Sequence, residues 1–156
     1  MGLDCFDTNA LVQLIQAIED PDTPHAPDLL AYLQEVEEGK HTPILPVPVI
    51  AEYLVRVPEN KWSEVVQFFR ETFRIYELNL RASLEAAQLM RVKLEKEGKL
   101  GSGEERECVK TDAYILGIAI TTGCDRLFSN DGRIRGMANG RIKIENIPQA
   151  DQPSLL

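Results

Sequence analysis

The chain has 156 residues, 44% of them hydrophobic and 27% charged, with a net charge of −8. That length and apolar content suit one globular domain with one sizeable core and exclude wholesale disorder. The acidic balance argues against broad electrostatic attraction to nucleic acid. No apolar run near the N-terminus is long enough for a membrane span or signal peptide, so the expectation is a cytoplasmic protein.

Charge is uneven along the chain. Residues 1–90 hold 6 Lys+Arg against 15 Asp+Glu, whereas residues 91–156 hold 11 against 10. A polyanion would therefore meet its basic groups in the C-terminal half. Cys5, Cys108 and Cys124 lack CxxC or metal spacing, which implies neither a disulfide scaffold nor a zinc site. Cys5 and Cys124 fall in apolar surroundings and read as small core residues.

Taken in order, residues 3–7 read as a short buried strand. A helix follows from Ala10 to about Ile18, capped by Thr8 or Asn9, with Leu11, Leu14, Ile15 and Ile18 on one face. Residues 19–27 carry three prolines and read as a loop. Asp28 starts a second helix to about Glu38, with Leu29, Leu30, Leu33 and Val36 inward and Gly39 as its stop. Residues 44–47 are a second strand, and Pro48 suits the first turn of a helix running through Glu52 to about Val57. Asn60 opens another helix with Trp62, Val65, Val66, Phe68 and Phe69 on its core side.

Residues 73–78 alternate like a strand, and Asn79 caps the longest helix, 81–97. Its apolar set is Leu84, Ala87, Leu89, Val92 and Leu94. The glycine-rich 98–103 segment is a flexible loop. A helix over about 104–122 comes next, then a strand at 126–129, a short helix or turn at 131–137 and a final strand at 141–147. One domain over 1–147 with a loose tail at 148–156 is expected. Asp4 reads as a strand-edge or surface acid. His25 and His41 lie beside prolines without a partner that suggests a catalytic base.

Strands separated by helices indicate an α/β protein with a mainly parallel, five-stranded sheet, whose ligand crevice lies beyond the carboxyl ends of the strands. Asp7 ends the first strand, and Ser129-Asn130-Asp131 ends the fourth. Glu52 follows the second by a turn. Asp112 is the only carboxylate between Glu107 and Asp125. Asp7, Glu52 and Asp112 are each embedded in apolar sequence, where a carboxylate must be paired, protonated or metal-bound. Converging acids without enough basic partners repel one another, and a hard divalent cation relieves that repulsion. Plainer readings are also open: Asp7 as a helix cap, Glu52 on an exposed face, Asp112 as a first-turn acid favoured by the helix dipole, and Asp131 as a turn residue before Gly132.

Asp7-Thr8-Asn9, Glu52 after an apolar strand, the run Lys110-Thr111-Asp112-Ala113-Tyr114-Ile115-Leu116, and Leu127-Phe128-Ser129-Asn130-Asp131 together resemble the signatures of the PIN-domain family. VapC-type toxin ribonucleases share this order of elements, and the resemblance covers about residues 2–147. It implies a PIN-like three-layer α/β/α sandwich acting as a divalent-metal-dependent endoribonuclease. Acids at Asp7, Glu52, Asp112 and Asp131 would ring Mg²⁺ or Mn²⁺, with Asp7 and Asp112 as direct ligands. Glu52 and Asp131 would act through water or orient the nucleophile. Thr8 or Asn9, with Ser129, would position those carboxylates. The chain departs from the family pattern at three places. Ser129 replaces a frequent threonine, with Asn130 an oxygen ligand if the register shifts by one; Pro46 and Pro48 replace the polar entry often seen ahead of Glu52; and the proline-rich 19–27 segment lengthens the route from Asp7 to Glu52.

The resemblance further implies an RNA substrate, a homodimer and an antitoxin protein as partner, with the chain as the toxin half of a toxin–antitoxin pair. The alternative is a non-catalytic PIN-like module that binds RNA or protein, which the net charge favours. Arg106, Lys110, Arg126, Arg133 and Arg135 flank the acids in sequence and are candidates for phosphate contacts. The 98–103 loop lacks the Gly-Lys-Ser/Thr of a P-loop. Asn9 stands where a haloacid-dehalogenase motif would need its second acid.

Overall fold

The computed structural model describes residues 2–147, so the tail expected at 148–156 lies outside the described residues. Five strands pair in the order β3-β2-β1-β4-β5. They are β1 (Gly2–Phe6), β2 (His41–Pro46), β3 (Arg74–Tyr76), β4 (Arg126–Phe128) and β5 (Lys143–Glu145), and every pairing is parallel. Among the described residues the connecting helices are α1 (Thr8–Glu19), α2 (Ala26–Glu37), α3 (Val47–Leu54), α4 (Trp62–Thr72), α5 (Leu80–Glu97), α6 (Glu104–Thr121) and α7 (Gly132–Ala138). Parallel neighbours need crossovers, which by rule run right-handed. The path β1 to β2 to β3 steps one way across the sheet, and β4 to β5 steps the other. Helices α1–α4 therefore cover one face and α5–α7 the other, giving the expected three-layer α/β/α fold. No helix among the described residues is long and apolar enough to cross a membrane.

Helix starts follow local chemistry. Asp7 Oδ1 accepts the Ala10 N–H at 2.8 Å, so the first helix begins at Thr8 and its cap is Asp7 rather than Thr8 or Asn9. Pro27 falls in the first turn of α2, where a missing N–H costs nothing, and the helix starts earlier than the proline count suggests. Pro48 does the same for α3, and Asn79 caps α5 as its sequence predicts.

Two expected faces are corrected. On α5 the buried residues are Ala82, Ala86 and Leu89, whereas Leu84 is 59% exposed and Ala87, Val92 and Leu94 also face outward. The reason is α6. A Cβ placed on Gly117 would stand 2.4 Å from the Ala82 carbonyl oxygen, so the two helices meet through their smallest side chains. On α4, Trp62 lies at the surface, and its indole N–H reaches the Leu54 and Val57 carbonyls at 3.1 and 2.9 Å. It ties the end of α3 to α4 instead of filling the core.

Asp4 is also corrected, being 1% exposed instead of at a surface. Register pairs Asp4 with Arg126 across β1 and β4. The guanidinium meets Asp4 Oδ1 at 2.7 Å and Glu145 at 2.8 Å. The Tyr32 hydroxyl donates to Asp4 Oδ2 at 2.7 Å, and His41 Nδ1 stands 3.4 Å away without hydrogen-bond geometry. His41 Nε2 pairs with Glu35 at 2.8 Å, so this histidine starts a strand and belongs to a structural network. Phe6, Tyr32, Phe73 and Phe128 close over it, with ring centroids 5.1 to 5.7 Å apart. Cys5 is buried, as expected, a free thiol hydrogen-bonded to that of the half-buried Cys124, and burial pushes its thiol up.

Asp4→Ala leaves the half-buried Arg126 with Glu145 alone and the Tyr32 hydroxyl without its acceptor, and equilibrium denaturant unfolding should show a loss of about 1–3 kcal/mol. Gly117→Ala forces α5 and α6 apart and should cost about 1–3 kcal/mol or more in the same measurement. Neutral behaviour of Gly117→Ala would contradict the close approach.

Candidate active site

Asp7 stands one residue beyond β1, and its N–H bonds the Phe128 carbonyl at 3.3 Å, which holds the two strand ends side by side. Ser129 stands one residue beyond β4 and is fully buried. Its hydroxyl accepts the Asp131 N–H at 3.0 Å and donates to Asp7, linking two acids through one oxygen. Asp131 caps α7, its Oδ1 accepting the Arg133 N–H at 2.8 Å while Oδ2 lies 3.3 Å from the Arg133 guanidinium. Glu52 comes from α3, and its Oε1 accepts the Thr8 hydroxyl at 2.9 Å. Asp112 lies in the third turn of α6, whose first-turn acids are Glu104, Glu105 and Glu107. It is therefore not a dipole-stabilising acid at the helix start.

All four acids line one cavity of about 120 Å³. Thr8 and Asn9 line it too, as does Arg133. Asn130 is exposed and does not. Arg106 and Lys110 lie on α6 outside the lining, Lys110 pairing with Glu107 at 3.2 Å. Arg135 points elsewhere, to Asn146. Arg126 is corrected: as the first residue of β4 it sits at the amino end of that strand, outside the cavity lining, with its guanidinium held on Asp4 and Glu145. Sequence reasoning missed Arg56, Cys108 and Thr111 in the lining. Cys108 precedes Asp112 by four residues, so helical spacing already put the two on one face. Arg56 likewise follows Glu52 by four.

The acids do not all have counter-charges. Burial pushes the Asp7 carboxyl up, the Ser129 hydroxyl and Ala10 N–H pull it back, and Asp131 and Glu52 add to the rise. Asp112 is driven further, to about 7, by burial first and then by Asp131, with Arg133 opposing and Asp7 and Glu52 adding. Its Oδ2 is buried with no hydrogen-bond partner in the structure. An orphaned buried oxygen facing three other carboxylates is a donor set that suits a hard, oxygen-seeking cation. Among the described residues, no three His, Cys, Asp or Glu side chains form a ready-made ligand cage.

Comparison with known proteins yields no matching family model and no matching curated protein. Solved structures do match. VapBC2 from Rickettsia felis, bound to a DNA fragment from its promoter, aligns at 19% identity and a TM-score of 0.63, covering 92% of this chain and 98% of that one. DNA-bound VapBC from Salmonella typhimurium aligns at 17% identity and a TM-score of 0.63, covering 94% and 98%. Mycobacterium tuberculosis VapC20, described as a sarcin–ricin loop cleaving toxin, aligns at 10% identity and a TM-score of 0.52, covering 85% and 93%. The chain has the PIN-like fold of these VapC-type structures, and at such identities the likeness carries the fold alone.

In the unfolded chain Asp112 releases its proton near about pH 3.9, whereas in the folded protein it holds the proton up to about 7. Between those values the folded state binds the extra proton, so this group's contribution to stability falls as pH rises toward 7. In metal-free buffer, Asp112→Asn should melt above wild type at pH 8, and the gap should close toward pH 4. Added Mn²⁺ should raise the wild-type melting temperature and leave the variant's nearly unchanged. A wild type indifferent to both pH and Mn²⁺ in this comparison would refute the electrostatic description of the cavity.

Proposed function

We propose that the chain is a divalent-metal-dependent endoribonuclease that hydrolyses RNA phosphodiester bonds in this cavity. The observation that carries the reading is the convergence of Asp7, Glu52, Asp112 and Asp131 on one space, with Asp112 Oδ2 left unpaired. Asp112 and Asp7 would hold Mg²⁺ or Mn²⁺, which when bound lowers the pKa of a water and offsets charge developing on the phosphate.

The chain's own residues do the positioning. Ser129 fixes Asp7 and, through the Asp131 N–H, the start of α7. Thr8 holds Glu52 Oε1, leaving Oε2 to accept a proton from the attacking water. Arg133 holds Asp131 and stands at the cavity wall, where a phosphate oxygen would meet it. Asn9 contributes an exposed amide at the same wall.

Support for a cleavage role comes from VapC20, which shares the fold and is described as a sarcin–ricin loop cleaving toxin. Support for an antitoxin partner comes from the VapBC assemblies that share the fold. The toxin half of a toxin–antitoxin pair is the role this proposal assigns. A homodimer is proposed as well, since Leu80 and Leu84 of α5 stand exposed and apolar. The net charge of −8 favours a module that binds without cutting, and the same experiment separates the two.

Mixed single-stranded RNA should be cut with Mn²⁺ or Mg²⁺ and spared in EDTA. Asp7→Asn and Asp112→Asn should each lose about 100-fold or more. Cutting that survives EDTA or both substitutions would mark a different mechanism or a contaminating nuclease. Tight RNA binding by an inactive wild type would establish the module instead.

A further inference from the structure

Helix α7 contains Gly132 and Gly136 one turn apart on its exposed side. Gly132 opens the helix behind its cap, whereas Gly136 lies inside it, where glycine is less stable than alanine and calls for a reason. The fold supplies none here. Neither residue has a positive φ, and a Cβ on either would meet nothing within 4 Å. Gly117 is the contrast, since α5 lies directly against it.

Both glycines line a groove of about 280 Å³ between α5 and α7. Lys93 and Lys96 of α5 and Arg133 of α7 also line it, against a single acid, Glu97. Lys96 has no acidic partner among the described residues, and Lys93 meets Glu97 in an i,i+4 pair at 2.6 Å. Such helix-surface pairs are weak, so an arriving phosphate can displace this one. Arg133 is held on Asp131 at 3.3 Å, so Lys96 supplies the excess charge, and the local balance is positive in a chain whose net charge is −8. Arg133 belongs both to this groove and to the acid cavity, which makes the two spaces neighbours.

We propose that the α5–α7 groove seats the sugar–phosphate backbone of the RNA strand beside the bond that is cut. Its phosphates would meet Lys93, Lys96 and Arg133, and the bare backbone at Gly132 and Gly136 would admit the strand at close range. The proposal rests on reading the acid cavity as an RNA-cleaving site. It accounts for how a strongly acidic chain holds a polyanion, because the contacts are local and sequence-independent.

The test is the affinity of fluorescently labelled single-stranded RNA for the full chain in EDTA, measured across a salt series. Each phosphate contact on a single strand contributes about 0.7 to the salt slope, so Lys93→Ala with Lys96→Ala should flatten it by about 1.4. Lys40→Ala, at a lysine paired with Glu38 and outside the groove, should leave the slope alone. Gly136→Ala should keep or raise the melting temperature while weakening RNA binding several-fold. Wild-type slope and affinity in both groove variants, alongside wild-type cleavage with Mn²⁺, would overturn the groove and leave the cleavage reading standing. Wild-type protein that neither binds nor cuts RNA would overturn both.

Discussion

Parallel pairing of β1 with β4 sets the position of everything at the site, because it brings Phe6 and Phe128 into register and releases the chain one residue later at Asp7 and Ser129. The strand order reverses direction between these two strands, and the crevice lies just beyond their carboxyl ends, where the chain leaves them toward opposite faces of the sheet. Asp7 and Ser129 enter that crevice from the sheet itself, so their backbone is held by ladder bonds rather than by loops. Glu52, Asp112 and Asp131 arrive from α3, α6 and the cap of α7 around this fixed edge.

The same strand pair treats two buried acids in opposite ways. At Asp4 the fold supplies a guanidinium, a phenol and a nearby imidazole, so the carboxylate is compensated on every side. Three residues later, at Asp7, the neighbours are mostly other carboxylates, and the largest rise belongs to Asp112. A chain that neutralises one buried acid so completely has the means to neutralise another. Leaving Asp112 Oδ2 without a partner is a cost borne by the folded state, and a bound cation is the simplest compensation for it.

Much of this was legible in the residues. Strand–helix alternation gave the sheet class, and the isolation of Asp7, Glu52 and Asp112 in apolar sequence marked them before any geometry was known. Asp131 reads in the sequence as a site acid or as a plain turn residue; it caps α7 and lines the cavity as well, since a capping carboxylate keeps lone pairs to spare. The buried face of α5 was not legible, because apolar periodicity favours the large residues Leu84 and Val92 whereas close helix contact selects Ala82 and Ala86. Arg126 misled for a related reason. Its partner Asp4 lies 122 positions away, and no local pattern announces a pairing at that distance. Arg56 and Cys108 each stand four residues from a cavity acid, a spacing that puts them at the same wall.

The central claim is that these four carboxylates form a cation site, and anomalous diffraction from crystals soaked in Mn²⁺ tests it most directly. The account predicts a manganese peak in the acid cavity with Asp112 and Asp7 oxygens at roughly 2.0–2.3 Å and waters filling the remaining positions. A cavity free of anomalous signal at saturating Mn²⁺, or a peak held by other residues, would contradict it.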